Sequence, residues 1–192
     1  MIAIIKYNAG NILSVKNSLN RLGCESVVTD DASCILAAER VIFPGVGEAS
    51  SAMNYLREKQ LVNVITSVKQ PFLGICLGLQ LMCKFSEEGN TNCLSIYDTN
   101  VKLFPPRGIV PHMGWNCFNT LDGDLFKGCT PSDNVYYVHK YYAEICSNTI
   151  ATCNYIIPFS SAMQKDNFYA TQFHPEKSST VGEKILKNFL EL

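Results

Sequence analysis

Hydrophobic positions in the first half of the chain alternate between short continuous runs and helical spacings. The continuous runs predict buried strands over 2–7, 26–29, 40–44 and 72–75. The first of these strands is expected to end at residues 8–10, Asn-Ala-Gly. Apolar residues three and four positions apart predict helices over 12–22, 48–59, 61–68 and 77–88. Strand–helix alternation of this kind predicts a parallel sheet that is covered by helices on both faces.

The pattern changes near residue 93, where short strand-like runs follow one another with turns between them. Such runs predict antiparallel hairpins, and the amphipathic segment 181–192 predicts a closing helix. We therefore predict an α/β fold: a three-layer, open, mostly parallel sheet with helices on both faces and an added antiparallel layer. Since the chain has no repeat, low-complexity tract or linker, residues 1–192 are predicted to form a single domain.

The composition excludes several classes of protein. Of the 192 residues, 47% are hydrophobic and 17% are charged, which excludes intrinsic disorder. The 16 basic and 17 acidic residues give a net charge of −1, so no surface for nucleic acid or an anionic membrane is expected. The longest apolar stretch, 71–83, is too short to span a bilayer, and the N-terminus does not resemble a signal peptide.

The nine cysteines are an odd number, and none has the spacing of a zinc or redox motif. No metal site is therefore predicted. A reducing, cytoplasmic environment fits this cysteine content, and most of the cysteines are expected to be small core residues.

Cys76 is the exception, because it lies in the sequence Gly74-Ile75-Cys76-Leu77-Gly78 between a predicted strand and a predicted helix. A nucleophile flanked by glycines at this junction is typical of a nucleophile elbow, whose strained turn needs small neighbours. The turn presents the side chain at the carboxyl end of the sheet and at a helix N-terminus, which favours the thiolate. Cys76 is therefore the candidate nucleophile.

A cysteine nucleophile needs a base and a group that orients the base. Of the three histidines, His174 directly follows the strand-like run 168–172, and Glu176 comes two residues later. In extended backbone this spacing puts both side chains on one side, and Pro175 keeps the spacing stiff. The alternative is a surface His-Pro-Glu turn.

The loop Phe43-Pro44-Gly45-Val46-Gly47 follows the third strand. A dinucleotide-binding fingerprint is only weakly indicated, because Ser50 stands where its third glycine belongs. We favour a loop in which the backbone N–H groups of Gly45, Val46 and Gly47 face the nucleophile and, with the N–H of Leu77, form an oxyanion hole.

Together these segments resemble a known family. GICLGLQ at 74–80 and QFHPEKS at 172–178 resemble the class I, triad-type glutamine amidotransferases. Within that class, AGNILSVKNSL at 9–19, PHMGWN at 111–116 and YYVH at 136–139 are similar to the glutaminase subunits of imidazole glycerol phosphate synthases. The resemblance covers residues 4–190.

The resemblance implies roles for individual residues. It makes Cys76 the nucleophile, His174 the acid and base, and Glu176 the partner that orients His174. It also implies that Gln80 and Glu88 bind the amino-acid end of the substrate, although ordinary helix surface is the alternative for both. His139 resembles a histidine beside the glutamine site, with a strand histidine among tyrosines as the alternative.

The family resemblance implies a glutaminase that hydrolyses L-glutamine and passes ammonia to a synthase. It implies a heterodimer with a (βα)8-barrel cyclase subunit, which covers the active-site face and makes imidazole glycerol phosphate in histidine biosynthesis. No metal or organic cofactor is implied.

Two departures from the family pattern leave other functions open. Lys140 stands where the family has a small hydroxyl residue, and Asn90–Ser95 replaces a Gly-Leu-Gly segment. They motivate the alternative that the same glutaminase chemistry supplies ammonia to a different acceptor enzyme, such as one that aminates a sugar or glycan precursor. An idle binding module of the same fold and a thiol hydrolase of peptides are further alternatives.

Overall fold

The computed structural model describes residues 1–7 and 11–192, so the predicted end of the first strand at residues 8–10 lies outside the described residues. The described residues form six α-helices: α1 (Ile12–Arg21), α2 (Ala32–Ala37), α3 (Ala49–Glu58), α4 (Leu61–Ser67), α5 (Leu77–Met82) and α6 (Ser179–Glu191). They also form fourteen strands: β1 (Ile2–Ile5), β2 (Ser26–Thr29), β3 (Arg40–Phe43), β4 (Phe72–Ile75), β5 (Phe85–Ser86), β6 (Thr91–Asn92), β7 (Asn100–Leu103), β8 (His112–Cys117), β9 (Thr120–Leu121), β10 (Asn134–His139), β11 (Tyr141–Ala143), β12 (Thr149–Tyr155), β13 (Ile157–Lys165) and β14 (Phe168–Thr171). No helix in this described part of the chain is long and apolar enough to cross a membrane.

The main sheet has eight described strands in the order β2-β1-β3-β4-β14-β13-β12-β9. The first five are parallel to one another, as predicted, and the last three extend the sheet in antiparallel fashion. In the pairing of β4 with β14, Ile75 lies opposite Thr171. The residues that follow these two strands therefore leave the sheet side by side, at the edge where ligands bind in open α/β folds.

Helices cover both faces of this sheet, as the alternation of strands and helices predicts. Successive strand residues point to opposite faces, so Ile5 and Phe72 pack with α2, α3, α4 and α5. Their neighbours Ile4 and Leu73 pack with α1 and α6 on the other face. Each such fully buried side chain stabilises the fold by about 1.5–3 kcal/mol relative to an exposed one.

The remaining described strands form two smaller sheets, β10-β8 and β11-β7-β5-β6. The predicted antiparallel strands are therefore present, but they are divided between an extension of the main sheet and these two sheets. In the first small sheet, His139 of β10 lies opposite His112 of β8.

The predicted helix over 77–88 is wrong in its second half, because α5 ends at Met82. The backbone N–H groups of Leu94, Ile96 and Tyr97 donate to carbonyls of the last turn, and Cys83 is already extended. A returning segment thus satisfies the carbonyls that a longer helix would have used. The chain then forms β5 instead.

Candidate active site

Cys76 lies in the sharp turn between β4 and α5. Its backbone has φ 53° and ψ −105°, a conformation that residues with a side chain rarely adopt. The Cys76 N–H donates to Thr171 O at 2.7 Å, which ties the turn to the end of β14. The structure therefore contains the strained elbow that the sequence motif predicts.

The two glycines of the motif allow this turn to pack tightly. A Cβ atom at Gly74 would lie 2.4 Å from Met82 Sδ, and one at Gly78 would lie 2.1 Å from Phe43 O. Since real Cβ atoms do not approach other atoms so closely, no larger residue fits at either position without moving its neighbours.

The loop 44–47 packs against the first turn of α5. A Cβ atom at Gly45 would lie 2.6 Å from Leu77 Cβ, so the loop backbone directly contacts the residue after the nucleophile. Gly47 has φ 142°, a conformation that favours glycine. The loop and the N-terminus of α5 thus meet beside Cys76, where the sequence analysis expects an oxyanion hole.

His174 and Glu176 are buried together beyond the end of β14. The distance between His174 Nδ1 and Glu176 Oε1 is 2.8 Å, and both side chains are 1% exposed. The His174 backbone is also held, since its N–H donates to Tyr136 O and its carbonyl accepts from Ser178 Oγ. The surface-turn alternative is therefore wrong.

The environment of His174 favours its protonated form. Burial lowers the pKa of the imidazole, but the negative charge of Cys76 and the hydrogen bond and charge of Glu176 raise this pKa to about 10. Its Nε2 is buried without a hydrogen-bond partner among the described residues. The arrangement thus favours an imidazolium that Glu176 supports through its contact with Nδ1.

A cavity of about 360 Å³ opens at Cys76, a volume typical of a small-ligand site. The residues that line it come from the elbow and α5, the loop after β3, the turn after β5, the segment before β8, and the end of β10 with the start of β11: Val46, Gly47, Cys76, Leu77, Gln80, Glu88, Pro111, Val138, His139, Lys140 and Tyr141. Of the candidate residues, Gly45, His174 and Glu176 do not line the cavity.

A family model described as glutamine amidotransferase class-I matches residues 3–192. The chain belongs to the class-I glutamine amidotransferase family. It is therefore an enzyme of the amidotransferase type, as the motifs around Cys76 and His174 predict.

Curated relatives are similar over their whole length. An imidazole glycerol phosphate synthase subunit HisH from Bacteroides fragilis is 59% identical, and the match covers 100% of this chain and 99% of the relative. The subunits of the same name from Bacteroides thetaiotaomicron and Blochmanniella floridana are 53% and 45% identical, with the same coverage.

Two solved structures with low sequence identity have the same fold. A putative GMP synthase subunit from Thermoplasma acidophilum has a TM-score of 0.78 at 19% identity and covers 100% of this chain and 92% of its own. PurLQS from Thermotoga maritima has a TM-score of 0.76 at 14% identity and covers 99% and 97%. At these identities the likeness concerns the fold alone.

Gln80 lies on the inner side of α5 in this amidotransferase, and the helix-surface alternative is wrong for it. The side chain is buried, and its Nε2 donates to Tyr141 O at 2.9 Å and to Gln172 Oε1 at 3.1 Å. Because these bonds fix the amide, Gln80 presents a rigid polar group to the cavity.

Glu88 begins a 3₁₀ turn, Glu88–Asn90, outside α5. Its Oε2 accepts from Ala49 N at 2.9 Å, and this bond holds the carboxylate at the N-terminus of α3. Burial raises the pKa of Glu88, as does the nearby Glu48, whereas the Ala49 bond and the positive charge of Lys140 oppose the shift.

His139 is part of a chain of hydrogen bonds between neutral groups. Its Nδ1 lies 2.7 Å from Tyr141 O and must donate to it, so its Nε2 accepts from His112 Nδ1 at 3.0 Å. Burial lowers the pKa of His139 to about 3 and that of His112 to about 4. Both histidines are therefore uncharged at neutral pH.

Two residues outside the predicted site contact the candidate triad. Gln172 Nε2 lies 3.6 Å from Cys76 Sγ, and Asn11 Nδ2 donates to Glu176 Oε1 at 2.5 Å. Gln172 lies two residues before His174, so strand alternation gave a signal for it. The contact of Asn11 joins residues far apart in the chain, and no local pattern indicates it.

Proposed function

We propose that the chain is the glutaminase subunit of an imidazole glycerol phosphate synthase. The proposal is carried by 59% identity, over essentially the whole chain, to a subunit of that name. The buried triad beside the cavity supports the same activity. The full-length similarity favours this synthase over a different acceptor enzyme, and the intact triad argues against an idle binding module.

In the first half of the reaction, the Cys76 thiolate attacks the side-chain amide carbon of glutamine. A C–S bond forms, and the carbonyl oxygen takes the negative charge. His174 gives its proton to the amide nitrogen, the C–N bond breaks, and ammonia leaves a thioester behind.

In the second half, His174 takes a proton from water, and the resulting hydroxide attacks the thioester carbon. The C–S bond breaks, glutamate leaves, and Cys76 returns as the thiolate beside a protonated His174. Glu176 keeps His174 oriented through the 2.8 Å contact with Nδ1 and stabilises the imidazolium.

The oxyanion is stabilised in both halves by backbone donors. We assign this role to the N–H of Leu77 and to the N–H groups of the loop formed by Gly45, Val46 and Gly47, which contacts Leu77 directly. When these donors already point at the oxyanion, they need no reorganisation during the reaction, and one of them contributes about 3–4 kcal/mol.

Substrate orientation is assigned to the other cavity residues. Glu88 offers a carboxylate for the α-ammonium group of glutamine, and Gln80 offers a fixed amide. His139 holds Tyr141 O through its Nδ1, and Gln80 bonds to the same carbonyl. This shared acceptor couples the wall of the cavity to the helix that follows the nucleophile.

Ammonia needs a protected route to its acceptor, because in water it is protonated and lost. We assign the acceptor site to a (βα)8-barrel cyclase subunit that forms a heterodimer with this chain and covers the cavity. Ile109, Met113 and Trp115 are 80%, 63% and 54% exposed and flank Pro111, which lines the cavity. Exposed apolar side chains are typical of a docking surface, and we assign these three to the cyclase interface.

Reconstitution with the cyclase subunit of the same organism tests this function. We expect the pair to convert the phosphoribulosyl formimino precursor and glutamine into imidazole glycerol phosphate and the aminoimidazole carboxamide ribonucleotide. Glutamate should form in equal amount. Product formation with ammonium salts but never with glutamine would contradict the proposal.

A further inference from the structure

The cavity at Cys76 carries two opposite charges away from the nucleophile. Glu88 lies on the turn after β5, and Lys140 lies in the connection between β10 and β11, and both line the cavity. The positive charge of Lys140 is close enough to Glu88 to oppose the rise that burial causes in the pKa of that carboxyl. The two groups therefore face the same space.

The backbone that carries Lys140 is fixed on both sides. The Lys140 carbonyl accepts from Phe104 N at 3.0 Å. The next residue, Tyr141, is held through its carbonyl by His139 Nδ1 and Gln80 Nε2, at 2.7 and 2.9 Å. The side chain of Lys140 thus starts from a rigid point at the rim of the cavity.

The ammonium group of Lys140 is available for a ligand. No hydrogen bond or ion pair involves its side chain among the residues that the structure describes, whereas Lys102 pairs with Glu144 at 2.7 Å. Opposite charges attract more strongly where the dielectric constant is low. A cation at the edge of a partly apolar cavity therefore binds an anionic ligand group more strongly than a fully solvated cation does.

We propose that Lys140 is a specificity-determining residue that binds the α-carboxylate of glutamine, an inference that rests on the proposed glutaminase function. Free glutamine carries an ammonium group and a carboxylate on one carbon atom, and Glu88 and Lys140 offer the complementary pair of charges. Binding at both points orients the side-chain amide toward Cys76. A glutamine residue within a peptide lacks both charges and is rejected.

The test compares glutamine with its α-amide, in which a neutral amide replaces the carboxylate. In the complex with the cyclase subunit, Lys140→Met should raise the KM for glutamine about tenfold, a loss of about 1.4 kcal/mol. The kcat should change little, because the carboxylate is bound equally in the ground state and the transition state. The KM for the α-amide should stay the same in the variant.

Lys140→Arg should restore most of the glutamine affinity, since it keeps the charge. Lys69→Met is the matched control, because Lys69 is exposed before β4, at the opposite end of the sheet from Cys76. It should leave both KM values unchanged.

Three results would overturn the inference: an unchanged KM for glutamine in Lys140→Met, an equal rise for both substrates, or an effect on cyclase affinity alone. If the wild-type complex does not hydrolyse glutamine at all, the proposed function fails and this inference fails with it. An active wild type with an unaffected Lys140→Met variant rejects the role of Lys140 only.

Discussion

Gly78 and Phe43 are in direct backbone contact: a Cβ atom at Gly78 would lie 2.1 Å from the Phe43 carbonyl oxygen. This contact joins the end of β3 to the first turn of α5 and brings the proposed oxyanion loop to Cys76. The end of β3 and the first turn of α5 are therefore packed together as one unit beside Cys76.

Gly78→Ala is expected to destabilise the protein by about 1–3 kcal/mol, because the added methyl group must displace backbone. It should also lower glutaminase activity. Gly23→Ala is the control, since Gly23 has φ 76° but no atom within 4 Å of the position that the added methyl group would take. Its cost is backbone strain alone, about 1 kcal/mol. Denaturant unfolding measures the free energy of unfolding of both variants. An equal loss of stability in Gly78→Ala and Gly23→Ala would contradict the close packing of Gly78.

Glu176→Gln should lower kcat by roughly ten- to a thousandfold with little change in KM. The reason is that Glu176 orients His174 and stabilises its protonated form. Glu176 raises the pKa of His174, so its neutralisation lowers that pKa. The protonated imidazole is then lost at a lower pH, and the alkaline limb of the kcat/KM profile moves in the acid direction. Wild-type turnover in Glu176→Ala would reduce the triad to a Cys76–His174 pair.

His139 makes the folded state sensitive to acid. Burial lowers its pKa to about 3, whereas an unfolded histidine titrates near about 6.5. Below that pH the unfolded chain binds a proton that the folded chain excludes, so stability falls as the pH drops from about 6.5 toward 3. In His139→Gln, the free energy of unfolding should fall less steeply over this range. An identical pH dependence of the free energy of unfolding in the wild type and in His139→Gln would contradict this role of His139.

Several parts of the site could be predicted because their signals are local. The glycines around Cys76 and the spacing of His174 and Glu176 indicate an elbow and a paired base within a few residues. The length of α5 could not be predicted, since Leu94 and Tyr97 end it through tertiary hydrogen bonds. The short helix α2 was also missed. Its cap is an exposed Asp31 bonded to Cys34 N, and only Ile35 is buried.

The chain alone is expected to be a weak glutaminase that its cyclase partner activates. Gly47 has φ 142°, and the two glycines that flank Val46 give the peptide groups of this loop more than one accessible orientation. An orientation with a carbonyl toward the oxyanion costs about 3–4 kcal/mol of barrier, roughly a hundredfold or more in rate. The partner activates only by binding the competent orientation more tightly.

Steady-state glutamine hydrolysis by the chain alone, with the cyclase, and with the cyclase and its nucleotide ligand checks this expectation. Each addition should raise kcat. Full activity of the lone chain, unchanged by either addition, would rule out activation through the loop.

The assignment of Cys76 as the nucleophile is the central claim, and the Cys76→Ala variant of the synthase complex tests it most directly. The measurement is imidazole glycerol phosphate formation with glutamine and, in parallel, with ammonium salts. Cys83→Ala is the control, because Cys83 is buried beyond the end of α5 and outside the strained turn. We predict that Cys76→Ala abolishes the glutamine-dependent reaction and keeps the ammonium-dependent one, whereas Cys83→Ala keeps both. Glutamine-dependent synthesis at the wild-type rate in Cys76→Ala would contradict the account.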